Sequence, residues 1–365
     1  MISPPLIEKV LRRAQETASH SWEYSTVYEA LLEYHTPSLS IFSSPFPNQE
    51  VPVLDGEQVQ ALEYIKPFIR TNTTTLCDGN GSSADPASLG IPALLVGKTS
   101  KADHDAYSKA VSRQLNHLLH TVPRHANGAI SHREDAASLW ADFVYMVPPF
   151  LAFYGVFTDD VDTIREAVRQ CELYRDVLST ATRAWKHIVN AQDGAEGLKD
   201  DSGLWSTSNG WVAAGMARVL ATLQKSRFAG ETADEQASLL KMIQQILDGV
   251  MVFDTDSSGL LRNYLDDETW WGEVSGTALL AATTFRMAVL KPGIFGTTYT
   301  NWAVRKMEVV SCCIDETTGI AQPFVNPLKE GQKTPLEGVS PEGQAFVVLM
   351  FAAWRDWNGD MWKDS

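Results

Sequence analysis

One acidic residue, Asp142, lies inside the most apolar stretch of the chain. Residues 130–155 read ISHREDAASLWADFVYMVPPFLAFYG, and from Leu139 onward the apolar side chains are too many for one stripe of a helix. A helix that is apolar on every side is buried, and an unpaired buried carboxylate is costly. We therefore expect Asp142 to be hydrogen-bonded, paired or held protonated with a raised pKa. Pro148 and Pro149 should kink or end the helix one or two turns later.

Asp142 has two interpretations. The common use of a buried aspartate is structural, and such a residue caps or braces a neighbouring loop. The chemical interpretation is a general acid in an aromatic pocket built by Trp140, Phe143 and Met146 of the same stretch. An apolar pocket disfavours the charged carboxylate, so that an acid placed there keeps its proton near neutral pH.

Other side chains that can do chemistry also have structural interpretations. His187, in the segment WKHIV, is expected on a helix, where a histidine is as often a satisfied core residue as a catalytic one. His132, in ISHRED, is interpreted as a loop brace, with a position facing the site as the alternative. Trp271 can stack on a ligand ring or fill the interior. Glu273 and Glu342 are expected to cap, or to lie in the first turn of, the helices that follow them.

The elements that must position these residues are helices. We expect about a dozen, and no segment has a convincing strand pattern. Long loops rich in Trp, Gly and Asp come before the most apolar or small-residue helices. They precede Leu89, Leu139, Trp211, Ser275 and Glu342.

The helices alternate between amphipathic and nearly all-apolar, as a double ring of outer and inner helices requires. We predict an all-α fold, an (α/α)6 barrel or six-hairpin toroid, in which the loops gather at one end. It is expected to be a single domain over residues 1–365, with residues 1–56 forming the first hairpin and a Pro/Ser-rich loop.

The composition disfavours several classes of function. The net charge of -15 at pH 7 argues against binding to nucleic acid or to anionic membrane surfaces. No segment has the apolar length of a signal peptide or a membrane span, and the four cysteines lack metal-ligand spacing. We therefore expect a cytoplasmic protein that acts on a small molecule, without metal or cofactor. A homodimer is left open.

Four stretches, in order along the chain, resemble one family of enzymes. LWADFVYMVPPFLAFYG is similar to the family block W-x-D-x-x-(F/Y)-M-x-x-P-F-L-A, and LWSTSNGWVAAGMARVL is similar to W-G-R-G-N-G-W. WWGEVSGTALLAA is similar to E-x-S-(G/A)-T-A, and SPEGQAFVVLMFAAW resembles the closing helix. The stretches lie between Leu139 and Trp354, and the resemblance covers most of the chain from about Asp85 to Trp357. By these stretches the chain resembles the unsaturated glucuronyl and rhamnogalacturonyl hydrolases, the six-hairpin glycosidases of glycoside hydrolase families 88 and 105.

The resemblance implies an activity and a set of site residues. These enzymes hydrate the C4–C5 double bond of an unsaturated uronide, and they require no cofactor. Asp142 matches the family's general acid/base aspartate, His187 matches a histidine near the substrate, and Asp85 matches a second aspartate. The residues expected to contact the substrate are Trp22, His132, Trp140, Tyr145, Trp205, Thr207, Asn209, Trp211, Trp271 and Glu273.

One position departs from the family pattern. The arginine of W-G-R-G-N-G-W is Thr207 here, and an arginine at that place is suited to bind a uronate carboxylate by bidentate hydrogen bonds. Lys186 or Arg133 could stand in for it. Two alternatives therefore stay open. One is a same-fold enzyme that uses Asp142 as a Brønsted acid on a non-sugar metabolite, in a cyclisation, isomerisation or dehydration. The other is a binding or scaffold protein without catalysis.

Overall fold

The computed structural model describes residues 3–54, 58–99, 103–191 and 200–359. These residues are mostly helical. The helices are α1 Pro4–Thr17, α2 Ser21–His35, α3 Gln60–Ile65, α4 Asp85–Ser88, α5 Gly90–Gly97, α6 His104–His120, α7 Phe143–Thr158, α8 Val161–Leu178, α9 Ser206–Lys225, α10 Ala233–Val252, α11 Val274–Leu290, α12 Thr297–Cys312 and α13 Pro341–Asn358. The strands are β1 Ser138–Trp140, β2 Ile188–Asn190, β3 Leu261–Arg262 and β4 Gly272–Glu273.

The least polar helices form an inner ring. In order around it come α2, the short pair α4 and α5, then α7, α9, α11 and α13, and α13 packs back on α2. Their burial explains their composition: α9 is buried on every side from Ser206 to Leu223, and α7 from Phe143 to Phe153. A helix that is surrounded by others has no face left for polar residues to meet solvent.

Amphipathic helices form the outer ring. Helices α3, α6, α8, α10 and α12 each pack against the inner helix that precedes them in the chain, and α1 packs against α13. In α8, for example, Ile164, Val168 and Cys171 are buried, whereas other positions of this helix meet solvent. This alternation makes the predicted (α/α)6 barrel. Within the described ranges, no helix is both long enough and apolar enough to cross a membrane.

Two short ladders correct the expectation that no strands would be found. Strand β1 pairs antiparallel with β2, with Leu139 opposite Val189. Helix α7 therefore begins at Phe143, and Leu139 and Trp140, which were expected in the helix, lie in a strand. His187 was also expected on a helix, but it comes directly before β2. Three residues are too few to show the alternating pattern of a strand. The partner strand also lies far away in the sequence, so no local signal indicates the pairing.

Pro148 and Pro149 do not end α7, which continues to Thr158. The neighbouring inner helix α9 packs against α7 with the two backbones in close contact. A Cβ atom at position 215 would lie 2.2 Å from the carbonyl oxygen of Val144, so only the glycine at Gly215 allows α9 to come this close to α7. Tertiary packing thus outweighs the two backbone hydrogen bonds that prolines cannot make.

A buried network of charged residues joins the inner helices away from their N-terminal ends. Glu33 of α2 lies 3.1 Å from Arg218 of α9 and 2.7 Å from Arg286 of α11, and Arg286 lies 2.5 Å from Asp356 of α13. Arg218 also pairs with Glu29 at 2.7 Å. Burial raises the pKa of Glu29 to about 7, although the charge of Arg218 lowers it. The network connects the first inner helix to the last, and so ties the ring where it closes.

Candidate active site

A cavity of about 270 Å³ lies at the end of the barrel where the inner helices begin. The chain segments that enter α2, α4, α7, α9 and α13 all contribute to its wall, which confirms that the loops gather at one end. The wall consists of His20, Trp22, Gly79, Asn80, Ser82, Asp85, His132, Arg133, Trp140, Asp142, Met146, His187, Trp205, Trp211, Pro327, Leu328 and Glu342.

A histidine held between two aspartates lies at this cavity. Nε2 of His187 is 3.4 Å from Oδ2 of Asp142, and Nδ1 of His187 is 2.9 Å from Oδ2 of Asp201. The ladder of β1 and β2 sets this arrangement, since the N–H of Ala141 donates to the carbonyl of His187 at 2.9 Å. Asp142 occupies the N-cap position of α7, but its side chain accepts no hydrogen bond from that helix. Asp142 therefore faces the cavity and does not act as a helix cap.

The two aspartates control the charge of His187. Burial lowers the pKa of His187, but the hydrogen bonds and charges of Asp142 and Asp201 raise it more, to about 9. The imidazole is therefore protonated at neutral pH. Trp140 and Trp205 enclose it, with ring centroids 5.9 Å and 4.6 Å away. Asp142 and the charged His187 thus form an ion pair inside an aromatic enclosure.

Asp85 is a second carboxyl group in the wall, at the start of α4. It accepts hydrogen bonds from the hydroxyls of Ser82 at 2.9 Å and Ser21 at 3.2 Å. Burial raises the pKa of Asp85 to about 6; the two serines lower it, and the charge of Asp142 raises it further. The carboxyls of Asp85 and Asp142 are thus close enough to influence each other.

His132 and Arg133 bring one neutral and one positive group to the wall. The ring of His132 stacks on Trp140 with 4.8 Å between centroids, so the alternative interpretation, a histidine facing the site, is the one the structure supports. Burial lowers the pKa of His132 to about 4, which leaves the ring neutral at neutral pH. Among the described residues of the wall, Arg133 is the one arginine or lysine, and Lys186 does not reach it.

Glu342 is a wall residue that the sequence pointed to only as first-turn helix chemistry. It does lie in the first turn of α13, but it is 2% exposed and faces the cavity. Its Oε2 accepts a hydrogen bond from Nε1 of Trp22 at 2.7 Å. The sequence did contain a signal for this position. Glu342 lies at the start of a helix that follows one of the long loops, and those loops were predicted to gather at one end of the barrel, which also holds the site. Asp201 was missed because a Gly/Asp-rich loop resembles a solvated one.

Glu273 and Thr207 lie outside the wall, contrary to the expectation that they contact substrate. The carboxylate of Glu273 accepts hydrogen bonds from the N–H groups of Ser275 at 2.6 Å and Gly276 at 2.5 Å, and from the hydroxyl of Ser206 at 2.8 Å. Its expected role as the cap of α11 is confirmed. Thr207 is fully buried against the same carboxylate, 3.4 Å away, so that neither side chain is directed to the cavity.

Tyr145, Asn209 and Trp271 are also placed away from the wall, because each satisfies its polar atoms elsewhere. The hydroxyl of Tyr145 donates to Glu29 in the buried charged network. The amide of Asn209 bonds the backbone of Trp185 at 2.8 Å and 3.0 Å, which ties the loop before β2 to α9. Nε1 of Trp271 donates to a backbone carbonyl at 2.8 Å. The structure thus places these three side chains outside the cavity wall, although each was expected to contact substrate.

One group of described residues combines side chains that can bind metals. His187, Asp201 and Glu330 have potential ligand atoms within 4.8 Å of one another. Hydrogen bonds account for this grouping, since Asp201 accepts from His187 and also from the hydroxyl of Tyr264 at 2.5 Å. A protonated imidazole offers no lone pair to a metal ion. We therefore interpret the group as the environment that keeps His187 protonated.

Known proteins resemble this chain in both sequence and fold. Unsaturated rhamnogalacturonyl hydrolase YesR of Bacillus subtilis (strain 168) is 24% identical over 289 residues, which cover 74% of this chain and 76% of YesR. A possible member of the GH105 family from Salmonella enterica serovar Paratyphi A superposes with a TM-score of 0.72 at 18% identity, over 97% of this chain and 93% of that one. The family 105 glycoside hydrolase of C. acetobutylicum superposes with a TM-score of 0.71 at 13% identity, over 96% of this chain and 99% of that one.

The family model of Glycosyl Hydrolase Family 88 matches residues 58–354. This range is most of the chain, and it contains the four stretches on which the resemblance was recognised. It also contains Asp85, Asp142, His187 and Glu342, which the fold brings to one cavity. The protein is a glycoside hydrolase, and its chain belongs to glycosyl hydrolase family 88.

Proposed function

We propose that the enzyme hydrates the C4–C5 double bond of an unsaturated uronide, with Asp142 as general acid and base. The observation that carries this proposal is the pair of Asp142 and His187, which brings an exchangeable proton to an aromatic cavity. Similarity to an unsaturated rhamnogalacturonyl hydrolase supports the same class of substrate. The volume of about 270 Å³ suits one terminal sugar unit better than the middle of a polymer.

The proposed reaction adds one water molecule across the double bond. Asp142 gives a proton to C4, the oxygen of water bonds to C5, and Asp142 receives the proton that this water loses. The product is a hemiketal at C5. Its bond from C5 to the ring oxygen then breaks, the ring opens to a ketone, and the hemiacetal left at C1 releases the remaining alcohol as an aldehyde forms. No electron acceptor or donor is needed.

The neighbours of Asp142 have distinct roles in this proposal. The imidazolium of His187 stabilises the carboxylate that Asp142 becomes between the two proton transfers, and Asp201 keeps His187 charged and oriented. Asp85 is positioned to accept a hydrogen bond from a sugar hydroxyl. Trp140 lies in the wall, and the apolar surface of an indole ring packs well against a sugar ring.

A uronide carries a carboxylate, which needs a positive partner in the site. Thr207 replaces the family arginine and is buried away from the cavity. Arg133 supports recognition of the carboxylate, because it lines the wall and a guanidinium group can bind a carboxylate through two parallel hydrogen bonds. We therefore assign the carboxylate-binding role to Arg133 and not to Lys186.

Turnover of unsaturated uronyl disaccharides tests the proposal. Loss of the alkene absorbance, together with release of the second sugar, is the expected result, and the matching saturated disaccharides should not react. A folded enzyme that leaves a broad set of unsaturated glucuronyl and galacturonyl sugars unchanged would refute hydration of these substrates. That outcome would favour a non-sugar substrate or loss of catalysis.

The charge of His187 predicts the alkaline limit of activity. Its pKa is raised to about 9, above the ordinary value of about 6.5, so the protonated form persists through neutral pH and is lost as pH rises through about 9. Asp201→Asn removes one of the two carboxylates that raise this pKa. We expect the alkaline fall of kcat, measured at saturating substrate in a pH–rate profile, to move to lower pH in this variant.

Tyr264→Phe is the matched control for this shift. It removes the hydrogen bond that Tyr264 donates to Asp201 but leaves the charge of Asp201 in place. Its alkaline limb should therefore stay close to that of the wild type. If the limbs of Asp201→Asn and the wild type coincide, His187 is not the group whose proton limits activity.

A further inference from the structure

Glu342 takes no part in the reaction proposed above, yet it presents a carboxyl group to the same cavity. One oxygen, Oε2, accepts the hydrogen bond from Trp22. The other oxygen, Oε1, has no hydrogen-bond partner among the residues that the structure describes. Glu342 is buried, forms no ion pair with a described residue and lies in the wall that a ligand must touch. One of its two oxygens is thus left for the ligand.

The surroundings of Glu342 are acidic. Carboxyl groups approach it from the first turn of α2, from the start of α7 and from the cap of α11, and these groups are Glu23, Asp142 and Glu273. The first helical turn of α13 favours the charged form, and so does the hydrogen bond from Trp22. Burial outweighs both: it raises the pKa of Glu342 to about 8, with further increases from the neighbouring carboxylates. The group is therefore mostly a neutral acid at neutral pH.

We propose that Glu342 holds a proton in the resting enzyme and uses it to donate a hydrogen bond to the carboxylate of the bound uronide. This inference rests on the proposed function, because it takes the substrate to be an anion. A neutral acid gives the carboxylate a second donor beside Arg133. An ionised Glu342 would instead place a negative charge next to the ligand, and binding would weaken. Glu342 thus determines whether the cavity accepts an anion.

Binding of an unsaturated uronyl disaccharide to the Asp142→Asn protein tests this inference without turnover. Calorimetric titrations between about pH 6 and about pH 9.5 cover the range in which Glu342 ionises. Affinity should fall by up to about tenfold per pH unit above the pKa of Glu342. Because the charge of Asp142 also raises that pKa, the fall should begin slightly lower in this background.

Adding Glu342→Gln to the same background should remove this fall, because an amide donates a hydrogen bond at every pH. Other titratable or charged groups at the cavity are shared by both proteins, so they cancel in the comparison. They are His20, Asp85, His132, Arg133 and His187. His187 is the most important of these, since Asp142→Asn removes one of the two carboxylates that raise its pKa, so that His187 also loses its proton within this range. The uronide methyl ester, which is uncharged, should show no fall that depends on Glu342.

Glu23→Gln is a second variant, outside the wall, that tests the same proton. Glu23 accepts hydrogen bonds from the N–H groups of Ser19 at 2.7 Å and His20 at 2.9 Å, and an amide oxygen can still accept there. Loss of its charge should lower the pKa of Glu342, so the fall in affinity should move to lower pH while affinity at about pH 6 stays unchanged. This variant keeps the test intact even if Glu342→Gln does not fold.

Coinciding pH profiles for the parent and Glu342→Gln proteins would overturn the inference, and so would the absence of binding at every pH. Turnover by the wild type separates this result from the proposed reaction. Turnover with coinciding profiles removes only the role of Glu342. The expected profiles without turnover by the wild type support Glu342 as an anion-binding acid and refute the hydration.

Discussion

Asp142→Asn is expected to lower kcat for an unsaturated uronide by about 10²–10⁴-fold, which is the usual contribution of a positioned general acid and base. Asparagine has nearly the same size as aspartate and still forms hydrogen bonds, so the cavity should keep its shape. It can neither give a proton to C4 nor receive one from water. Loss of the alkene absorbance at saturating substrate measures kcat directly.

Asp200→Asn is the matched control for this large effect. It makes the same chemical change in an exposed residue that accepts a hydrogen bond from the backbone of Asn190 and lies outside the cavity wall. Its kcat should stay within about threefold of the wild type. Circular dichroism and thermal unfolding establish that both variants fold. A value for Asp142→Asn within about tenfold of the wild type would exclude it as the proton donor.

Glu33→Ala is expected to lower the free energy of unfolding by about 3–5 kcal/mol. Glu33 is 3% exposed and lies between Arg218 and Arg286. Its loss leaves both guanidinium groups with a missing partner inside the barrel, where an unpaired charge is far more costly than in water. Urea denaturation, followed by tryptophan fluorescence, measures the change.

Glu16→Ala provides the comparison for an exposed ion pair. Glu16 lies 2.8 Å from Arg13 on the surface of α1, with about half of its side chain exposed. Such pairs contribute about 0–1 kcal/mol, because water screens them and two flexible side chains must be ordered. If Glu33→Ala and Glu16→Ala cost similar amounts, the buried network is not what ties α2 to α9 and α11.

The barrel could be predicted from sequence because its rings have different compositions. Residues 143–153 are buried on all sides, and their lack of a polar stripe indicated an inner helix directly. The two-ring order followed from the alternation of such segments with amphipathic ones. Strands β1 and β2 could not be predicted, because each has three residues and is stabilised by a partner from a different part of the chain. The same long-range pairing took His187 out of the expected helix.

The site could be predicted in part. Asp85, Asp142, His132 and His187 are brought together at one cavity, and the family motifs had pointed to most of them. Motifs did less well within α9, where one helical turn separates Trp211 at the wall from Thr207 against the cap of α11. Which side of an all-buried helix meets a cavity depends on the neighbouring helices, and no local pattern encodes it.

The hydrogen bond from Trp22 to Glu342 joins residues that are 320 positions apart. It crosses the seam of the barrel, the place where α13 packs on α2 and the inner ring closes. During synthesis α2 is made early, but the neighbour that covers it is made only after every intervening helix. The inner ring cannot close until α13 has been made, and apolar surface that is exposed in this way is what chaperones commonly protect. Because the cavity wall takes residues from both sides of the seam, catalytic competence arises only when the ring closes. Proteolytic loss of α13 would inactivate the enzyme and expose its core in one event.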